Sequence, residues 1–182
     1  QQLKTLVEKY NPVIFLINLA TKRLTLHGNI LPPVSEVIYQ QVMKWAGYAP
    51  EEKVAMLERK LEMDGRLEEF IKKVQKEKNE DWNKIKFEDV LTAKGIAQEL
   101  APDFYPNIWK DSKSFNVMRI DSLEDESDKV RAMLHLIKKR TGRTNVLFII
   151  DEVGNYIAAK PELIDHLAGT MENIKDIGKG KA

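Results

Sequence analysis

Two adjacent carboxylates, Asp151 and Glu152, come directly after the apolar run Val146-Leu147-Phe148-Ile149-Ile150. Such a run, bounded by charge, reads as a strand buried in a parallel sheet, whose C-terminal end opens onto the crevice where ligands sit. Two acids delivered there side by side suit metal-assisted phosphoryl transfer. That chemistry needs one group to hold Mg²⁺ and another to orient and deprotonate the attacking water. The expectation is Asp151 as metal ligand, directly or through water, and Glu152 as catalytic base. A buried strand that merely ends on a solvated acidic pair is the plainer reading of the same residues.

An apolar strand closing on Asp-Glu is how P-loop NTPases build the Walker B element, so the pattern points to ATP and Mg²⁺ as cofactors. A second short β-prone run, Val13-Ile14-Phe15-Leu16-Ile17, comes after the break at Asn11-Pro12 and is a second candidate for a central parallel strand. Asn18 then falls at that strand's C-terminal edge, with Thr21, Lys22 and Arg23 beyond it, where polar and basic groups can face a ligand. Asn18 is the candidate nucleotide-binding residue, and a solvated loop is the competing explanation.

Other chemistries find little support. The chain has no cysteine, which removes disulfides, thiolate catalysis and Cys-ligated metal. His27, His135 and His166 are scattered, with no zinc-site spacing. Lys179-Gly180-Lys181 lacks the Gly-x-x-x-x-Gly-Lys-Ser/Thr spacing whose amides cradle phosphates, and no such loop occurs elsewhere in the chain. Arg140 and Arg143 have the chemistry of an arginine finger acting in trans, but at a helix end their simpler role is to oppose the dipole.

Periodicity marks the elements that must position these residues. Leu3, Leu6, Val7 and Tyr10 indicate an opening helix, and Val34, Ile38, Val42 and Trp45 another that ends near Gly47. The stretch from Pro50 to Lys78 reads as a helical hairpin about Asp64-Gly65, its dense Glu and Lys forming solvated faces. A helix near Phe87–Leu100 is expected to stop before Pro102. The tract Asp103–Trp109 reads as a packed irregular loop, and Phe115–Ile120 as a weak strand. Ser122–Asp125 supplies a capping box for a helix carrying Val130, Met133, Leu134 and Ile137, which feeds the Val146 strand. Pro161 opens a last helix.

Bulk composition bounds the rest. At 182 residues and 43% hydrophobic content the chain can bury a real core. Lys+Arg 29 against Asp+Glu 28 leaves a net charge of +1, so no global pull toward nucleic acid or anionic membrane exists. No apolar run approaches the ~20 residues of a membrane span. A cytoplasmic protein with no membrane partner is expected. An opening at Gln1-Gln2 inside a helical pattern suggests a piece of a longer protein.

The segment Asn11–Thr25, the long charged helical section, and Arg140-Thr141-Gly142-Arg143 leading into Val146–Ile157 together resemble the large P-loop ATPase of bacterial BREX phage-defence loci. The more specific part is Ile149-Ile150-Asp151-Glu152-Val153-Gly154 with Tyr156, since a general Walker B strand does not prescribe the residues after its acids. The resemblance implies an AAA-like ATPase region of a much larger protein, acting with other phage-defence proteins. DNA contact through the parent complex is left open, and an oligomer is compatible with it. The Walker B roles carry over to Asp151 and Glu152, whereas the phosphate loop and sensor strand lie outside the chain.

The expected fold is therefore α/β: a partial P-loop NTPase (AAA-like) core with a parallel sheet and flanking helices, residues 1–34 and 115–182, and a mainly helical insertion, residues 35–114. Two other functions remain open. One is a nucleotide-gated signal-transducing switch ATPase that turns over slowly. The other is a helical protein-interaction module with no nucleotide role.

Overall fold

The computed structural model describes residues 2–20, 32–117, 126–158 and 162–178. The class is mixed α/β, mostly helical, with a two-stranded parallel sheet. The chain divides into two compact units, one formed by 1–42 with 123–182 and the other by 43–122.

The first unit holds the sheet. Helix α1 (Gln2–Tyr10) ends where Asn11 adopts a left-handed φ of 42° and its N–H donates to the Val7 carbonyl at 2.8 Å. A left-handed residue followed by Pro12 is a helix stop with a physical cause, because Asn tolerates that conformation and proline cannot continue the helix. Strand β1 (Val13–Asn18) begins at once. The Asn145 side chain donates to the Tyr10 carbonyl at 2.6 Å, which ties the end of α1 to the start of β2 (Val146–Asp151).

β1 and β2 pair in parallel from Val13↔Val146 to Asn18↔Asp151. A parallel pair requires a crossover, and here the residues between the strands supply helices rather than a hairpin. Val13, Phe15 and Ile17 are buried, and the Phe15 and Phe148 rings stack at 5.3 Å across the pair. The other face behaves differently from the sequence expectation of a strand covered on both sides. Ile14, Leu16, Leu147 and Ile149 alternate outward and are exposed, Leu16 to 71%. Uniformly apolar strands conceal this alternation, since the period of two has no polar partner to reveal it.

The covered face packs against helices of the same unit. The first turns of α2 (Val34–Trp45) bury Val34, Val37, Ile38 and Val42. Helix α8 (Glu126–Thr141) buries Val130, Met133, Leu136 and Ile137, and closes on Gly142 at φ 72° with Lys138, Lys139 and Arg140 in its last turn. Lys129 bonds Glu36 at 2.5 Å, and Ser35 donates to Glu126 at 2.9 Å, which satisfies a buried hydroxyl. Helix α10 (Glu162–Gly178) packs along α8. The capping box at 122–125 and Pro161 lie outside the described residues.

The second unit is all helical: α3 (Glu52–Met63), α4 (Leu67–Lys78), α5 (Trp82–Glu88), α6 (Val90–Phe104) and the short α7 (Ser114–Val117). The hairpin about Asp64-Gly65 forms, with Gly65 at φ 69°. The helix expected near Phe87–Leu100 differs in both its limits. Asp89 breaks it by accepting from the Thr92 N–H, which caps α6 at its start, and α6 then runs through Pro102. Pro102 lies in the last turn, so the i→i−4 bond that its missing N–H removes, to the Gln98 carbonyl, falls near the helix end and the interior of α6 is unbroken. The strand expected at 115–120 is instead helical over its described part, up to Val117.

This unit's core joins Leu57, Leu61, Phe70, Val74, Trp82, Leu100 and Trp109. Inside it lies a buried ion pair. Glu58, 1% exposed, accepts from Trp82 Nε1 and Lys86 Nζ on Oε1, each at 2.8 Å, and from the Ala49 N–H on Oε2 at 2.6 Å. Lys86 Nζ also donates to the Gly47 carbonyl at 2.7 Å. A buried charge is tolerable only when paired and hydrogen-bonded in this way. Glu58 of the charged hairpin, expected on a solvated face, is therefore interior.

Candidate functional site

The parallel register brings Asn18 and Asp151 side by side at the C-terminal ends of the only described strand pair. Both are exposed, and both fall on the uncovered face with Leu16 and Ile149. The ladder extends past them, since the Leu19 N–H donates to the Asp151 carbonyl at 3.2 Å. Asn18 Oδ1 accepts from the Ala20 N–H at 2.8 Å, so part of its side chain holds the turn that leaves the strand. Thr21, Lys22 and Arg23 lie outside the described residues.

Asp151 uses Oδ1 to accept from the Glu152 N–H at 2.8 Å. Glu152 itself stands at φ 61°, ψ 23°, a left-handed conformation that L residues with a long side chain rarely adopt. That geometry costs roughly 1–2 kcal/mol, and such strain clusters at functional sites. It also turns the chain sharply from strand into α9 (Val153–Ile157). Without the turn, Glu152 would continue the strand and project to the opposite face from Asp151.

Helix α9 is fixed by its neighbour residues rather than by length. Tyr156 is fully buried, its N–H donates to the Glu152 carbonyl at 3.1 Å, and its hydroxyl donates to the Pro32 carbonyl at 2.8 Å. Asn155, three residues after Glu152, donates from Nδ2 to Glu152 Oε2. Residue types alone assigned no role to Asn155, though its spacing of three from Glu152 is the signal that a helical turn makes them neighbours.

The donor set suits Mg²⁺ better than a metal with a complete protein cage. Among the described residues no three acidic or histidine side chains converge on one point. Mg²⁺ characteristically takes one or two carboxylates and completes its octahedron with water and phosphate oxygens. Asp151, with one oxygen engaged by a backbone amide and the other open, can serve in that way. His135 is exposed on α8, His166 Nδ1 lies 3.5 Å from Glu126, and His27 is outside the described residues.

A cavity of about 460 Å³ lies on the other side of the sheet, lined by Ile38, Val146, Phe148, Ile150, Val153 and Leu167 among others. Its walls are mainly apolar, with Thr170 and Lys175 the polar groups on the lining, and it lies on the face of the sheet opposite the Asp151 carboxylate. No helix among the described residues is long and apolar enough to cross a membrane. No protein family, no curated protein and no solved structure matches this chain.

Proposed function

We propose that this chain carries the Walker B half of a Mg-ATP hydrolase, of the kind found in BREX phage-defence complexes, with the phosphate-gripping loop supplied by residues beyond these 182. The observation that carries the reading is the Asn18↔Asp151 pairing at the carboxyl ends of parallel strands, with Glu152 turned out of the strand immediately after. Ligands of parallel α/β sheets bind at those carboxyl ends. The sequence resemblance around Ile149–Tyr156 supports the same assignment. So does the uncovered apolar face: parallel sheets are covered on both sides by helices, which fits a strand pair whose outer face takes a further packing layer in a larger protein.

In this reading Asp151 holds Mg²⁺ directly or through water, and the ion would offset charge on the phosphates. Glu152 accepts the proton of the attacking water, and Asn18 contacts the nucleotide from the adjacent strand end. Each role is assigned to a group that is exposed at one edge of the sheet.

The test is Mg²⁺-dependent ATP binding and hydrolysis by the full-length protein, its Glu152→Gln variant and this chain alone. Expected are turnover in the full-length protein, a loss of ~10²–10⁴-fold in the variant with ATP binding retained, and no turnover by the chain. Absence of nucleotide binding in all three would replace this reading with the helical interaction module.

A further inference from the structure

We infer that Asn155 is a positioning residue for Glu152, a role that rests on the hydrolase reading above. Glu152 is held at two points. Its backbone is locked by the left-handed turn and by the Tyr156 N–H on its carbonyl, and its carboxylate Oε2 accepts from Asn155 Nδ2. Neither half of this arrangement can slide, because Tyr156 beside Asn155 is fully buried and its hydroxyl is tied to Pro32.

The chemistry of the amide defines the role. An asparagine N–H donates a hydrogen bond but does not take up a proton at neutral pH, so Asn155 orients the acceptor without competing for the water's proton. With Oε2 held, Oε1 is the oxygen left to face the water. Glutamate has three rotatable side-chain bonds and, on an exposed turn, would otherwise sample many rotamers. Holding a base in one orientation matters because a displacement of about 1 Å at the reacting atoms can cost on the order of 100-fold.

The discriminating experiment uses the full-length protein with Asn155→Leu, which keeps the side chain's size but removes the donor. Asn155→His is its companion, since it returns an N–H at nearly the same reach. Steady-state ATP hydrolysis, Mg-ATP affinity and Tm are measured for each. Expected is a fall in kcat of about 10- to 100-fold for Asn155→Leu, with KM, nucleotide affinity and Tm unchanged, and recovery of most of kcat in Asn155→His. An unchanged kcat overturns the role while leaving the hydrolase reading standing. A raised KM or a lowered Tm with no specific loss of kcat also overturns it, in favour of a contact that only caps α9. Failure of the unaltered protein to bind or hydrolyse Mg-ATP removes the underlying reading, and this inference with it.

Discussion

Asn18 and Asp151 are Cα partners at the last position of a parallel strand pair, so two polar side chains adjoin where both strands release their chains. Everything before them in each strand is apolar. Burial drives the strands together, and the register that this burial fixes sets the polar pair at one edge.

The two partners should separate kinetically in the full-length protein. On the proposed hydrolase reading, Asp151→Asn removes the charge assigned to Mg²⁺, so the Mg²⁺ concentration for half-maximal hydrolysis should rise and kcat should fall. Asn18→Ala removes a neutral hydrogen-bonding group, worth about 0.5–1.5 kcal/mol. It should raise KM for ATP by a few-fold at unchanged Mg²⁺ dependence. Titrating Mg²⁺ at fixed ATP for both variants checks this, and identical Mg²⁺ curves for Asp151→Asn and the unaltered protein would remove the metal assignment.

The left-handed Glu152 makes a stability prediction that needs no activity. Glycine adopts φ 61° without the Cβ clash, so Glu152→Gly should be more stable than Glu152→Ala, which likewise lacks the carboxylate that Asn155 bonds, by up to about 1 kcal/mol after the glycine entropy cost. Urea denaturation of this chain measures the difference. A Glu152→Gly variant less stable than Glu152→Ala would mean that the turn stores no strain.

Asp64 and Tyr105 predict opposite pH limbs in the helical unit. The Tyr105 hydroxyl donates to Asp64 Oδ2 at 2.8 Å, and this bond, then that from Lys60, holds the Asp64 pKa below its ordinary 3.8. A depressed carboxylate adds stability that is present above 3.8 and lost as pH falls through the lower folded value. Asp89, lowered by the Thr92 N–H and hydroxyl, contributes to the same acid limb. Burial, then Asp64, raises the Tyr105 pKa above 10.0, so its contribution is present below 10.0 and lost as pH rises. Tyr105→Phe should therefore shrink the stability change both below pH 4 and above pH 10. Denaturant midpoints across pH would show it, and parallel profiles for variant and unaltered chain would sink it.

Much of the local structure was legible in the residues. Asn11-Pro12, Asp64-Gly65 and Gly47 mark chain reversals, and Asn11, Gly65 and Gly47 adopt the positive φ that their residue types permit. The two strands and their polar ends could be read from the apolar runs. The one-sided burial of the sheet could not, because Ile14 and Phe15 are equally apolar while only the second is buried. Glu58 and Lys86 escaped for a related reason. In a Glu- and Lys-rich stretch, composition speaks for the solvated face, while the position of Glu58 four residues after the buried Val54 puts it at the core. Asn155 was missed because its spacing of three from Glu152 becomes a contact only through the turn at Glu152, and neither composition nor hydropathy encodes that turn.

Trp82 and Trp109 offer a paired test of that interior. Both are fully buried, but Trp82 Nε1 donates to Glu58, whereas Trp109 Nε1 has no hydrogen-bond partner. Replacing either by phenylalanine removes similar volume, so the cavity cost largely cancels between the two. Trp82→Phe also takes a donor from a buried carboxylate, a bond to a charged group worth about 1.5–3 kcal/mol. Trp109→Phe instead eliminates an unsatisfied donor, whose burial costs about 1–3 kcal/mol. Trp82→Phe should therefore be the more destabilising by at least about 2 kcal/mol in urea denaturation. Adding Lys86→Met to Trp82→Phe should cost further stability, since Glu58 would then keep only the Ala49 N–H and remain a buried charge without a cation. Equal losses from the two tryptophan substitutions would show that volume alone sets their worth, and that the Glu58 network adds nothing to this core.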